Sequence, residues 1–227
     1  SIQTAVDHTL SGKAGGVVTN PISKKSLYDA GFAHPGHTEF LAQLCTKPGH
    51  PMPRPVMMLH GGGLRVALVT IHAPLKEAID SLSVEAIVSV GKVLDFALRR
   101  DFGMPTPRIA LAGLNPHAGE EGALGSEEID IINPAAALLR RDGVDCSDAL
   151  PPDTVFHLAK EGQFDAVIAL YHDQGLIPVK TLDLWGGVNV TLGLPIIRTS
   201  PDHGVGYPAA RTGQVRCDSL VSAVELA

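Results

Sequence analysis

The chain has 227 residues, of which 44% are hydrophobic and 19% charged, and a formal net charge of −6. That length can bury a real core as one large domain or two modest ones; the acidic balance argues against nucleic acid as a main partner, because phosphate backbones are bound by basic surfaces. No apolar run is long enough to span a bilayer and no signal-peptide pattern opens the chain, while Cys45, Cys146 and Cys217 stand far apart outside any CxxC pair, so a membrane partner and a disulfide framework are not expected and a cytoplasmic location is.

Short apolar runs alternating with helical patterns predict an α/β protein with a largely parallel sheet and flanking helices. In chain order, strands are expected at Gly16–Thr19 and Arg65–Ile71. A helix then runs from an N-cap at Ser83 to Phe102, with Leu82 and Ile87 as a staple and Ile87, Val90, Leu94, Ala97 and Leu98 as its apolar stripe. A strand at Arg108–Ala112 follows, then a helix that opens at Asn133-Pro134 and stops at Gly143, and another helix after Asp153. Strands at Asp165–Leu170 and Val188–Leu192 and an amphipathic segment at Leu220–Leu226 complete the set. Regular sequence begins at once from Ser1, so an N-terminal portion is expected to precede it.

Three of these strands run into histidine: Arg65–Ile71 into His72, Arg108–Ala112 into Gly113-Leu-Asn-Pro-His117, and Asp165–Leu170 into Tyr171-His172. Open parallel sheets bind ligands outside the carboxyl ends of their strands, so three imidazoles delivered there can converge. Neutral imidazole suits zinc and other transition metals, and three protein ligands leave positions open for substrate. A single strand-end histidine is ordinarily a hydrogen-bonded structural residue; it is the repetition that points to a metal.

The flanking stretches are Pro35-Gly36-His37-Thr38-Glu39-Phe40, Asn115-Pro116-His117-Ala118-Gly119-Glu120, Tyr171-His172-Asp173-Gln174-Gly175-Leu176 and Gly193-Leu194-Pro195-Ile196-Ile197-Arg198-Thr199-Ser200, with Asp202-His203-Gly204 after them. With these motifs the chain resembles the 4-hydroxythreonine-4-phosphate dehydrogenase (PdxA) family over nearly its whole length. The resemblance implies an isocitrate/isopropylmalate dehydrogenase-like fold of two domains with the first incomplete: 1–40 plus 200–227 as its remnant, and 41–199 as a second, metal-binding and dimerising domain. It implies His72, His117 and His172 as ligands of one divalent metal shared across a homodimer. It implies His37, Thr38, Lys180, Asn189 and Arg198 around the anionic end of a small substrate, with Asp153 contributed by the other subunit. Arginine offers a forked donor and lysine a point charge for phosphate or carboxylate.

The implied reaction is NAD- or NADP-dependent oxidation of a hydroxyl β to a carboxylate, followed by decarboxylation, with Lys180 as a proton donor. Zinc is the first candidate metal, with cobalt, nickel, manganese and magnesium behind it. No GxGxxG loop is present, so the cofactor must bind by another geometry and its residues are not assigned. The chain departs from the family at Asp148-Ala149 and at Val205-Gly206, with Tyr207-Pro208 and Arg211 following. These departures hold two substrates level: 4-hydroxythreonine 4-phosphate, and an aromatic cis-dihydrodiol carboxylate such as that from terephthalate, the substrate of a paralogue. Plainer roles stand beside the implied ones: Asp153 and Thr38 as helix caps, Asn189 as a turn residue, Lys180 and Arg198 as solvated charges, His203 as structural. Two other classes remain as alternatives: a zinc hydrolase using Glu39, Asp173 or Glu120 as general base, and a non-catalytic binding protein.

Overall fold

A computed structural model describes residues 1–23, 29, 31 and 36–227, and Pro35 of the first flanking motif lies outside them. The chain divides into two compact units, 1–55 with 185–227, and 56–184. The boundaries implied by the family resemblance are 40/41 and 199/200.

The first unit contains α1 (Ile2–Leu10), β1 (Gly16–Val18) and α2 (His37–Leu44), and, from the C-terminal part, β7 (Val188–Leu192) and β8 (Ile197–Pro201) with two later helices. β8 is central: it pairs parallel with β1 and antiparallel with β7. This pairing is why β7 and β8 fall with the N-terminal segment. Val6, Val17, Leu41, Ala42, Cys45, Leu194 and Ile196 form the core here. The closing helix, Asp218–Leu226, begins two residues before the predicted segment.

The second unit contains β2 (Val56–Gly61), β3 (Leu64–Leu68), α3 (Leu75–Asp80), α4 (Val84–Arg100), β4 (Arg108–Ala112), α5 (Asn133–Arg141), β5 (Asp145–Leu150), α6 (Val155–Lys160), β6 (Ala166–Ala169) and α7 (His172–Leu182). Its strands lie in the order β2-β3-β6-β4-β5. All neighbours are parallel except the β2–β3 hairpin. β3, β4 and β6 are buried almost residue by residue, as strands covered by helices on both faces must be. Ser83 caps α4 as predicted, its hydroxyl accepting from the Ala86 N–H at 3.2 Å. Gly91 lets α5 approach α4, since a Cβ there would lie 2.6 Å from Leu139 Cδ1.

Two helix starts differ from expectation. α5 continues from a wide turn at Glu128–Ile132, so Asn133 is no cap; its Oδ1 instead accepts from the Ala149 N–H of β5 at 2.8 Å. Asp153 precedes Thr154, the residue at the N-cap of α6, and makes no cap bond to that helix.

Candidate functional site

The parallel order β3-β6-β4 puts the three histidine-bearing strand ends side by side at one edge of the second unit. Beyond β3 the chain stays in register with β6, Val69 and Thr70 donating to Ala169 and Leu170, and then reaches His72. His172 opens α7, with Leu170 and Tyr171 between it and the end of β6. The imidazole rings of His72 and His172 lie 5.5 Å apart between centroids, tilted by 46°. Two imidazoles on one tetrahedral zinc, with bonds of about 2.0–2.1 Å, bring their centroids to about 5 Å, so this pair fits a divalent metal. His172 Nδ1 meets Asp173 Oδ1 at 2.7 Å, which leaves Nε2 as the ring nitrogen for a ligand.

His117 takes a different path. The five residues from His117 to Glu121 all adopt left-handed backbone, with φ of 53°, 54°, 80°, 43° and 55°. Four of them are not glycine, and each such residue costs about 1–2 kcal/mol relative to the right-handed form. The turn is built on Glu128, which is 2% exposed. Its carboxylate accepts from the N–H groups of Leu114 and Asn115 at 2.7 and 2.8 Å and from Asn115 Nδ2 at 2.9 Å. A Cβ at Gly119 would lie 2.7 Å from the same carboxylate, so the turn closes tightly on it. His117 is exposed, and among the described residues no group of three His, Cys, Asp or Glu is placed to hold a metal. The chain therefore brings His72 and His172 together and leaves His117 outside the pair.

A second polar centre lies in the first unit. Arg198 on β8 is 6% exposed. Its Nη1 donates to Thr191 Oγ1 at 2.8 Å and its Nη2 to Thr19 Oγ1 at 2.7 Å, both neutral hydroxyls. Its Nε has no partner, and no carboxylate among the described residues pairs with it. Burial lowers its pKa to about 10. His37, the first residue of α2, also has a buried, unpartnered Nε2. Burial first, and the positive charge of Arg198 second, lower its pKa to about 4, so the ring is neutral near pH 7.

The remaining predicted residues have these places. Thr38 is the second residue of α2 and not its cap, which is Gly36, where a Cβ would run into the Glu39 carboxylate. Asn189 is a half-buried strand residue of β7, paired opposite Ser200, and not a turn residue. Lys180 is half-buried in the last turn of α7, and Asp153 is exposed. His203 is exposed, with Nδ1 at 2.9 Å from the Gly204 carbonyl. Of the plainer roles, that of Arg198 as a solvated charge is overturned by its burial. Sequence reasoning did not single out Thr19, Thr191, Glu128 or Gln174. Gln174 stands inside a quoted motif and Glu128 lies beyond the end of another, whereas Thr19 and Thr191 carry no local signal, because only the strand order β1-β8-β7 brings them to Arg198.

The family model described as pyridoxal phosphate biosynthetic protein PdxA matches residues 1–227. A 4-hydroxythreonine-4-phosphate dehydrogenase of Maricaulis maris is 59% identical, the match covering 100% of this chain and 67% of that protein. A crystal structure of 4-hydroxythreonine-4-phosphate dehydrogenase from Klebsiella pneumoniae superposes with a TM-score of 0.89 at 45% identity, over 99% of this chain and 67% of that one. A terephthalate 1,2-cis-dihydrodiol dehydrogenase from Burkholderia xenovorans superposes with a TM-score of 0.75 at 29% identity, over 99% of this chain and 70% of that one. The chain thus spans about two thirds of the length of the curated relatives it matches.

Proposed function

The chain belongs to the PdxA family, and from that premise we propose that it serves the metal- and NAD-dependent oxidation of 4-hydroxythreonine 4-phosphate, with decarboxylation of the product. The observation that carries the phosphate is Arg198, a buried guanidinium held by two hydroxyls and, among the described residues, by no carboxylate. A buried charge is costly unless paired, so this cation is set for an anion that arrives with the substrate. His37 at the start of α2 adds a neutral imidazole beside the partial positive charge of a helix N-terminus. Thr38, Asn189 and Lys180 are the further substrate contacts, with Asp153 of the partner subunit.

Identity weighs the same way: 59% to a 4-hydroxythreonine-4-phosphate dehydrogenase against 29% to the dihydrodiol enzyme. The hydrolase reading is not favoured, because the relatives matched at high identity are dehydrogenases.

His72 and His172 are the residues that would hold a divalent metal, zinc first, with His117 reaching it from the second subunit of a homodimer. The bound metal would lower the pKa of the substrate hydroxyl, and the nicotinamide would accept the hydride. The protein's own part is to hold the phosphate at Arg198 and His37, to present the imidazole pair, and to return a proton at Lys180 Nζ when carbon dioxide leaves. Lys180→Ala is expected to keep metal binding and stall turnover, and unchanged turnover would remove Lys180 from the mechanism.

The experiment is an assay of purified protein with zinc, NAD and each of the two substrates, read as absorbance of reduced nicotinamide. Metal-dependent reduction with the phosphate substrate is the expected result. Reduction only with the dihydrodiol carboxylate would overturn the substrate, and none with either would overturn the activity.

A further inference from the structure

Gln174 is a long polar side chain buried at the histidine-bearing edge between β6 and β4, 8% exposed in the first turn of α7. Its Oε1 accepts from the Leu170 N–H at 2.7 Å, and its Nε2 donates to the Gly113 carbonyl at 2.7 Å. Leu170 directly follows the strand that leads to His172, and Gly113 opens the segment that delivers His117. On the other side of Leu170, its carbonyl accepts from Thr70 Oγ1 at 2.8 Å and from the Thr70 N–H at 3.2 Å. Thr70 lies two residues before His72. The Gly113 N–H in turn donates to the Leu150 carbonyl at 2.8 Å, so the chain of bonds crosses the strand ends from β3 to β5.

We propose that Gln174 is the positioning residue of the histidine centre: its amide ties the segment leading to His172 to the segment leading to His117, and Thr70 carries the tie to His72. An amide is suited to this place because it offers an acceptor and a donor at opposite corners of one plane. An ionised carboxylate would accept from Leu170 but present a second acceptor to the Gly113 carbonyl. An apolar side chain would leave both main-chain groups buried and unpaired. Gln174 touches no reacting atom; it acts by holding the backbone from which the imidazoles project. The inference rests on the reading of His72, His117 and His172 as metal ligands.

The test is zinc affinity, measured by competition with a chromophoric chelator on metal-stripped protein, together with the imidazole NMR signals of the metal-free protein. Gln174→Glu and Gln174→Met are expected to weaken zinc by about tenfold or more, the scale on which supporting groups act at metal sites. Both should shift the signals of His117 and His172 while leaving those of His50 and His157 in place. Thr70→Val, a milder change, is expected to weaken zinc by several-fold. Ile87→Val, a core truncation on α4, is expected to lower the melting temperature with zinc affinity unchanged, which separates positioning from general stability. Parental affinity and unmoved signals in Gln174→Glu overturn the proposal; should that variant fail to fold, the same result in Thr70→Val overturns it. Parental protein that binds no zinc overturns the metal reading, and the imidazole signals then decide the tie by themselves.

Discussion

Arg198 and His37 make one prediction each at the scale of single residues. A buried cation with no carboxylate partner among the described residues contributes little to the stability of the ligand-free protein, so Arg198→Met is expected to leave the melting temperature unchanged or raise it. The same variant should lose the rise in melting temperature that phosphate gives the parent, which reaches about 2.7 kcal/mol of stabilisation at a hundredfold excess over Kd. Thermal melts with and without inorganic phosphate measure both effects. For His37 the folded pKa, about 4, lies below the ordinary value of 6.5. Above pH 6.5 neither folded nor unfolded chain is protonated there and stability is unaffected. As pH falls from 6.5 towards 4 the unfolded chain takes up a proton that the native state refuses, and stability declines across that window. His37→Gln should flatten the decline in urea midpoints, and an equally steep decline in the variant would remove His37 as its source.

At the scale of elements, the placement of α7 matters most, because it opens on His172. Gly175 lies where the helix crosses the sheet: a Cβ there would sit 2.5 Å from Leu68 Cδ2, 3.0 Å from Val66 Cγ1 and 3.2 Å from Ala169 Cβ. Gly175→Ala is therefore expected to push the helix off β3 and β6, at about 1–3 kcal/mol of stability, and to weaken zinc by moving His172. Chemical denaturation and the chelator competition read the two parts. Ser83→Ala gives a contrast, since the lost cap of α4 should cost about 1 kcal/mol without touching zinc affinity. The same division explains which elements were legible. β3, β4 and β6 read clearly because burial on both faces demands continuous apolar sequence. β5 and β8 did not: β5 is an edge strand reading Asp-Cys-Ser-Asp-Ala-Leu, and β8 buries Arg198, Thr199 and Ser200 in place of apolar residues.

At the scale of the whole molecule, a chain that gathers two histidines and leaves the third apart makes a prediction about assembly. If the site of one subunit is completed by His117 of its partner, His117→Ala and His172→Ala proteins should each be inactive alone. Unfolded together and refolded as a mixture, they should regain activity, because a hybrid dimer holds one site with all three ligands. Sedimentation should show the parent as a dimer, and a monomer, or a mixture without recovery, would place all three ligands on one chain. Among the described residues no helix is long and apolar enough to cross a membrane.

The sequence by itself determined the α/β class, the strand ends that carry histidine, and the motifs by which the chain belongs to the PdxA family, because these depend on local periodicity and residue order. Tertiary structure decided what surrounds those residues. Only the order β3-β6-β4 brings the His72 and His172 rings within 5.5 Å, and only the left-handed turn on Glu128 sets His117 apart. Arg198 shows the same limit: a charge reads as a solvated residue until β1 and β7 close on either side of it. Burial depends on neighbours far apart in the chain, and burial without a carboxylate partner among the described residues is what supports the proposal of that arginine as a site for an anion.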